Sequence, residues 1–83
     1  MQAFIHPESQ DIVARRQVES LQWCATAWQE GRMPGWVFAD IVISHRAEAA
    51  RFEVWPRVCA ALIARGFDIF NKRGLLDAGP SHG

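Results

Sequence analysis

From Pro7 to Glu30 apolar and polar residues alternate with the period of an α-helix. At 100° per residue Val13, Val18, Leu21, Cys24, Ala25 and Trp28 fall on one stripe, while Arg15, Glu19, Gln22, Thr26 and Gln29 take the opposite side. Pro7 suits a first helical position, where a missing N–H costs nothing, and Glu8 and Asp11 complement the positive end of the helix dipole. Gly31 marks the end of this helix, and Arg32-Met33-Pro34-Gly35 is the clearest turn in the chain. Trp23 does not fit the stripe. It lines up with Ile12, Arg16 and Ala27 on the back of the helix, so either the helix is central and contacted on both sides, or this seam is an interface.

Residues 36–52 admit two readings. As a strand, Trp36 to Ile43 is β-branched and apolar on both faces, like a buried parallel strand. As a helix, Val37, Phe38, Ile41, Val42, His45, Ala49 and Phe52 make one continuous stripe, with Asp40, Ser44 and Arg51 opposite. Residues 46–51 are strong helix formers, and the helix is preferred. Pro56 then opens a third helix that runs to Arg65 and stops at Gly66, with Trp55, Val58, Cys59, Leu62 and Ile63 as its buried stripe. After Gly66, Asp68 caps a short helix ending at Gly74, or residues 67–70 and 75–76 flank a hairpin turn.

The pattern predicts an all-α, compact three-helix bundle with a short fourth helix or hairpin near the C-terminus. The alternative is a small α+β fold with strands near 36–43 and 67–70. Residues 1–77 are expected to form a single small globular domain and residues 78–83 a frayed tail. A chain of 83 residues buries only about 60–65% of its unfolded surface, so its margin of stability is thin.

Charge narrows the range of functions. Nine basic and nine acidic side chains cancel, although residues 1–31 sum to −2 and residues 32–83 to +2. A nucleic-acid-binding domain usually carries a pronounced basic excess, because phosphate neutralisation supplies most of its affinity. A helix-turn-helix or winged-helix DNA binder, with Lys72 and Arg73 on the backbone, is therefore the second reading. Arg15 with Glu19 and Glu48 with Arg51 have the spacing of weak surface pairs. The longest uncharged stretch, residues 20–29, falls far short of the roughly 20 apolar residues of a membrane span. The N-terminus has no basic region followed by an apolar run, so a cytoplasmic protein is expected. Eight Arg against one Lys, with twelve Ala, points to a GC-rich coding sequence of bacterial or bacteriophage type.

Catalytic chemistry finds little support in the residue pattern. His6, His45, His82, Cys24 and Cys59 stand in no metal-ligand spacing, and neither a metal nor a small-molecule cofactor is expected. Both cysteines lie in apolar segments and read as reduced core residues; Cys59, near the start of its helix and beside Arg57, is the better placed to react. His45 lies on the apolar stripe without an identifiable nucleophile, and reads as a core-edge histidine.

Four tryptophans in 83 residues are the one excess with physical content. Trp28, Phe38, Phe52 and Trp55 are expected at the centre of the core. Trp23 and Trp36 are left over, each displaced from its helix's stripe. Interfaces concentrate energy in Trp and Arg anchors, so Trp23 with Arg16, and Trp36 beside Arg32, are the expected partner-binding residues. The expectation is a non-enzymatic protein–protein interaction module, binding another protein or a second copy of itself as a homodimer. A regulator, or an inhibitor of a host protein encoded by a phage or mobile element, fits that description.

Overall fold

A computed structural model describes residues 5–71 as three α-helices followed by a single 3-10 turn: α1 (Pro7–Gln29), α2 (Gly35–Arg51), α3 (Trp55–Ala64) and Asp68–Asn71. Residues 36–43 lie wholly within α2 and residues 68–70 within the 3-10 turn, so the α+β alternative is overturned. The apolar period in α2 prevails over the β-branched character of its first turns. Asn71, the first residue of the expected Asn-Lys-Arg-Gly hairpin turn, closes the 3-10 turn; residues 72–74 and the tail at 78–83 lie outside the described residues.

All three helices end in the same way. In each, the third residue past the helix donates its N–H back to the carbonyl five positions earlier: Arg32 to Ala27 at 2.8 Å, Val54 to Ala49 at 3.0 Å, Phe67 to Leu62 at 3.0 Å. The residue before it sits in the left-handed region, as a Schellman motif requires. That residue is Gly31 at φ 79°, Gly66 at φ 95° and, at the end of α2, Glu53 at φ 59°. Glycine takes this conformation freely; glutamate does so against a steric penalty.

Cross-helix bonds give the topology. Gln10 Nε2 donates to the Phe52 carbonyl at 3.0 Å and Gln17 Nε2 to the His45 carbonyl at 2.9 Å, so α1 and α2 run antiparallel. Arg57 pairs with Asp11 and Arg65 with Gln22, so α1 and α3 run in the same direction. Helix α1 is thus central, packed by α2 on one flank and by α3 on another. This settles the two readings of its second seam in part: the helix is contacted on both sides, yet Ile12 and Trp23 still face solvent. Ala27 does not share that seam. It is buried where the chain turns back and Arg32 bonds its carbonyl.

Leu21, Phe38, Val42, Val58 and Leu62 form the centre of the core, joined by Phe70 from the 3-10 turn. Trp28 stacks on Phe38 with ring centroids 5.1 Å apart, and Phe70 meets the same ring edge-on at 6.1 Å. Gly35 lies against this stack: a Cβ there would stand 3.4 Å from Trp28 Nε1, in van der Waals contact. Phe38 is therefore central as expected. Trp28, Phe52 and Trp55 are only partly buried at the core's edge, and Phe70 holds a more central place. Among the described residues no helix is long and apolar enough to cross a membrane.

Candidate partner-binding surface

Trp23 is 62% exposed although it lies in the middle of the central helix. The reason is angular. Leu21, Cys24 and Ala25 point inward, which turns the intervening Trp23 out. The chain then leaves α1 through the Gly31 turn and brings Arg32 back alongside. Its guanidinium lies over the Trp23 ring, 5.8 Å from the centroid, and both Nε and Nη2 donate to Glu30 Oε1 at 3.0 and 2.7 Å. Glu30 thus fixes the fork that covers part of the indole face. Residues Glu19, Gln22, Trp23, Thr26, Arg32 and Arg65 line a shallow groove of about 390 Å³ here.

The other expected partner residues lie elsewhere. Trp36 is 68% exposed in the first turn of α2, where Phe38 faces inward and Trp36 therefore faces out. Arg32 pairs with Trp23, and Trp36 does not line their groove. Arg16 is exposed and lines a different, smaller cavity of about 170 Å³ between α1 and α2, together with Val13, Gln17, Ser20, His45 and Glu48. Lys72 and Arg73, the residues of the nucleic-acid reading, lie outside the described residues.

The cavity beside Arg16 holds the residues with most chemical potential. Ile41's carbonyl lies 2.8 Å from His45 Nδ1, and because a carbonyl only accepts, Nδ1 carries the proton. Nε2 then accepts from the Ser20 hydroxyl at 3.0 Å. Hydroxyl, imidazole and orienting carbonyl are connected as in a nucleophile–base pair, and Ser20 is the partner for His45 that sequence reading missed. Ser20 sits nine residues before the end of α1, where the surrounding backbone N–H groups are committed to the helix. No backbone N–H of α1 is therefore free to receive a developing oxyanion at Ser20. The arrangement suits an inter-helix latch better than acyl transfer.

Gln17 is the other missed residue. It is 3% exposed, its amide nitrogen donates to the His45 carbonyl and to Glu48 Oε1 at 2.9 Å each, and its Oε1 is buried without a hydrogen-bond partner among the described residues. Its angular position between Leu21 and Cys24, inside the apolar stripe, was the available signal. A polar side chain on a long helix ordinarily faces water, and so concealed it.

Both cysteines are free and buried. Burial pushes the Cys24 thiol up, and pushes Cys59 up to about 11 against a smaller opposing effect of Arg46. A thiol held neutral in this way packs as a small apolar group. Among the described residues no group of three or more His, Cys, Asp or Glu side chains could hold a metal ion. Nor do Arg15 and Glu19, or Glu48 and Arg51, pair; ionic contacts form instead between Arg32 and Glu30 and between Arg57 and Asp11.

In comparisons with known proteins the chain matches no family model, no curated protein and no solved structure. Its function is therefore argued from its own surface.

Proposed function

We propose that this protein is a small, non-enzymatic protein–protein interaction module whose contact surface is built around Trp23 and Arg32, with Trp36 and Arg16 as outlying contacts. The observation that carries the reading is the exposure of two tryptophans, one of them with an arginine over its ring that a neighbouring glutamate holds in place. Tryptophan in water is costly for a free monomer, and Trp and Arg are the residues on which interfaces concentrate binding energy. A small regulator or inhibitor, acting by occupying a partner's surface in the cytoplasm, accords with this. A second copy of the chain is the simplest partner.

The test is the solution mass by light scattering from low to high micromolar, on wild type and on Trp23→Ala, followed by crosslinking in cells that produce the protein. A wild-type dimer that Trp23→Ala dissociates with unchanged helical content supports self-association. A monomer whose crosslinked partner is lost in Trp23→Ala/Trp36→Ala supports a foreign one. The reading fails when the folded double variant retains the mass and every crosslinked partner of wild type.

A further inference from the structure

The Trp23 groove does not end at Trp23. Arg65, at the C-terminal end of α3, lines it and also lines a second groove of about 340 Å³ that runs back between α1 and α3 past Val18, Ala61, Arg57, Arg15 and Asp11. The two grooves share Arg65, and the α1 residues that line them run from Asp11 to Thr26, about 22 Å at 1.5 Å per helical residue, a trough that the Arg65–Gln22 bond bridges part-way. Its floor is apolar in the α1–α3 stretch, where Ala14 and Val18 are buried beneath it, and polar around Trp23. Its walls are not neutral. Four arginines, Arg15, Arg32, Arg57 and Arg65, line it against two carboxylates, Asp11 and Glu19, which leaves the lining at +2 in a protein whose whole sequence sums to zero.

The arginines differ in how far they are occupied. Arg57 pairs with Asp11 and Arg32 with Glu30. Arg65 meets only the neutral amide oxygen of Gln22, at 2.6 Å, and Arg15 has no ionic or hydrogen-bonded partner among the described residues. Among the described residues two guanidinium groups thus flank the α1–α3 groove without an ion-pair partner, and the exposed Trp23 closes one end of the trough. Guanidinium forks match carboxylates in pairs, and the indole takes a large apolar side chain.

Resting on the interaction reading above, we infer that the α1–α3 trough binds an acidic peptide segment of a partner protein, whose carboxylates pair with Arg15 and Arg65 and whose apolar anchor seats on Trp23. A nucleic-acid backbone suits the trough less. Asp11 and Glu19 stand in its walls, and its floor is apolar in the α1–α3 stretch, where phosphates would lie.

The probe is a displayed library of random 12-residue peptides, selected on full-length wild type and on Arg15→Glu/Arg65→Glu. Arg51→Glu, on the solvent side of α2, is the charge control, and the helical circular dichroism of each variant is matched first. The expected result is a wild-type pool enriched in Asp and Glu around one aromatic or large aliphatic residue. Its members should bind Arg15→Glu/Arg65→Glu at least tenfold more weakly, lose affinity in Trp23→Ala, and bind Arg51→Glu as they bind wild type. A pool that depends on Trp23 but carries no acidic bias would overturn the inference and leave the interaction reading intact. Retention of no peptide, or equal binding to the double variant, also overturns it. So does duplex DNA competing for the trough at 50 mM salt in preference to the peptides, and that outcome would count against the interaction reading as well.

Discussion

Arg32 lies over the face of Trp23, 5.8 Å from the ring centroid, and is held there by two bonds to Glu30 Oε1. Three residues from two sides of the Gly31 turn thereby act as one unit. Both charged side chains are more than half exposed, so solvent screens the pair and its direct contribution to stability is small. The cation–π contact at such a site is worth about 0.5–1 kcal/mol. A double-mutant cycle on Trp23→Ala and Arg32→Ala, read by urea denaturation, is expected to return a coupling of about that size. The same cycle read by partner binding should return more, because a partner that covers the surface removes the screening water. Equal coupling in both measurements would mean that the unit is structural only.

Gln17 offers a test of the α1–α2 contact. Its amide makes two good hydrogen bonds, but its oxygen is buried with no partner among the described residues, and an unsatisfied buried group costs about 1–3 kcal/mol. Both acceptors have other company: the His45 carbonyl belongs to the α2 ladder, and the exposed Glu48 can turn to water. Gln17→Met, close in volume, is therefore expected to be neutral or to stabilise by about 1 kcal/mol in urea denaturation. Gln17→Glu would set a buried carboxylate against Glu48, and is expected to destabilise by several kcal/mol near neutral pH.

The helix ends carry a third, independent prediction. Glu53 occupies the left-handed position that Gly31 and Gly66 fill elsewhere, at a cost of about 1–2 kcal/mol. Glu53→Gly recovers that strain and gives back part of it through a freer unfolded chain. The net expectation is a gain of about 0.5–1 kcal/mol. Gly31→Ala should lose about 1 kcal/mol. Nothing lies within 4 Å of a Cβ placed at Gly31, so the loss would come from the backbone alone. Thermal melts of the two variants should move in opposite directions.

Phe70 is fully buried against Phe38 yet belongs to a four-residue 3-10 turn. Phe70→Ala is expected to cost about 3–5 kcal/mol, a large part of the roughly 4–12 kcal/mol available to a chain of this length. Phe70→Leu should cost under about 1.5 kcal/mol and keep the protein folded at 25 °C. A mild effect of Phe70→Ala on chemical denaturation would mean that the turn is only loosely docked.

How much of this was legible in the sequence depends on whether a periodic signal was present. The three helices were, because Val18, Leu21, Cys24 and Ala25, then Phe38 and Val42, then Val58, Cys59 and Leu62 repeat at helical spacing and are all buried. The exposure of Trp23 and Trp36 followed from the same angles. Phe70 could not be placed this way, since a single 3-10 turn is too short to have a period. Glu53 was invisible for a different reason: its left-handed backbone is set by the α2–α3 connection, and its residue type argues against it. Ser20 and His45 are 25 residues apart, and only the antiparallel packing of α1 and α2 joins them. The trough, likewise, needs Arg65 beside α1, which requires knowing that α1 and α3 run in the same direction.

The buried thiols are expected to make stability fall in alkali. Cys59 is pushed by burial from an ordinary value of 9.0 to about 11, so between those limits the unfolded chain loses the proton that the folded chain keeps. Where the folded state binds more protons, raising the pH weakens it. The contribution is intact below pH 9, declines as the pH passes from 9 toward 11, and each tenfold displacement of the ionisation is worth about 1.4 kcal/mol. Cys24 is raised in the same direction and adds to the effect. Urea midpoints measured from pH 8 to 10.5 should therefore fall for wild type and fall less for Cys59→Ala, whose lower starting stability reflects the lost packing. At pH 8 iodoacetamide should modify both thiols far more slowly than free glutathione, and at a rate that rises with urea through the unfolding transition. Rapid modification of Cys59 in the folded protein would instead identify an accessible thiolate and reopen the question of nucleophilic chemistry at the start of α3.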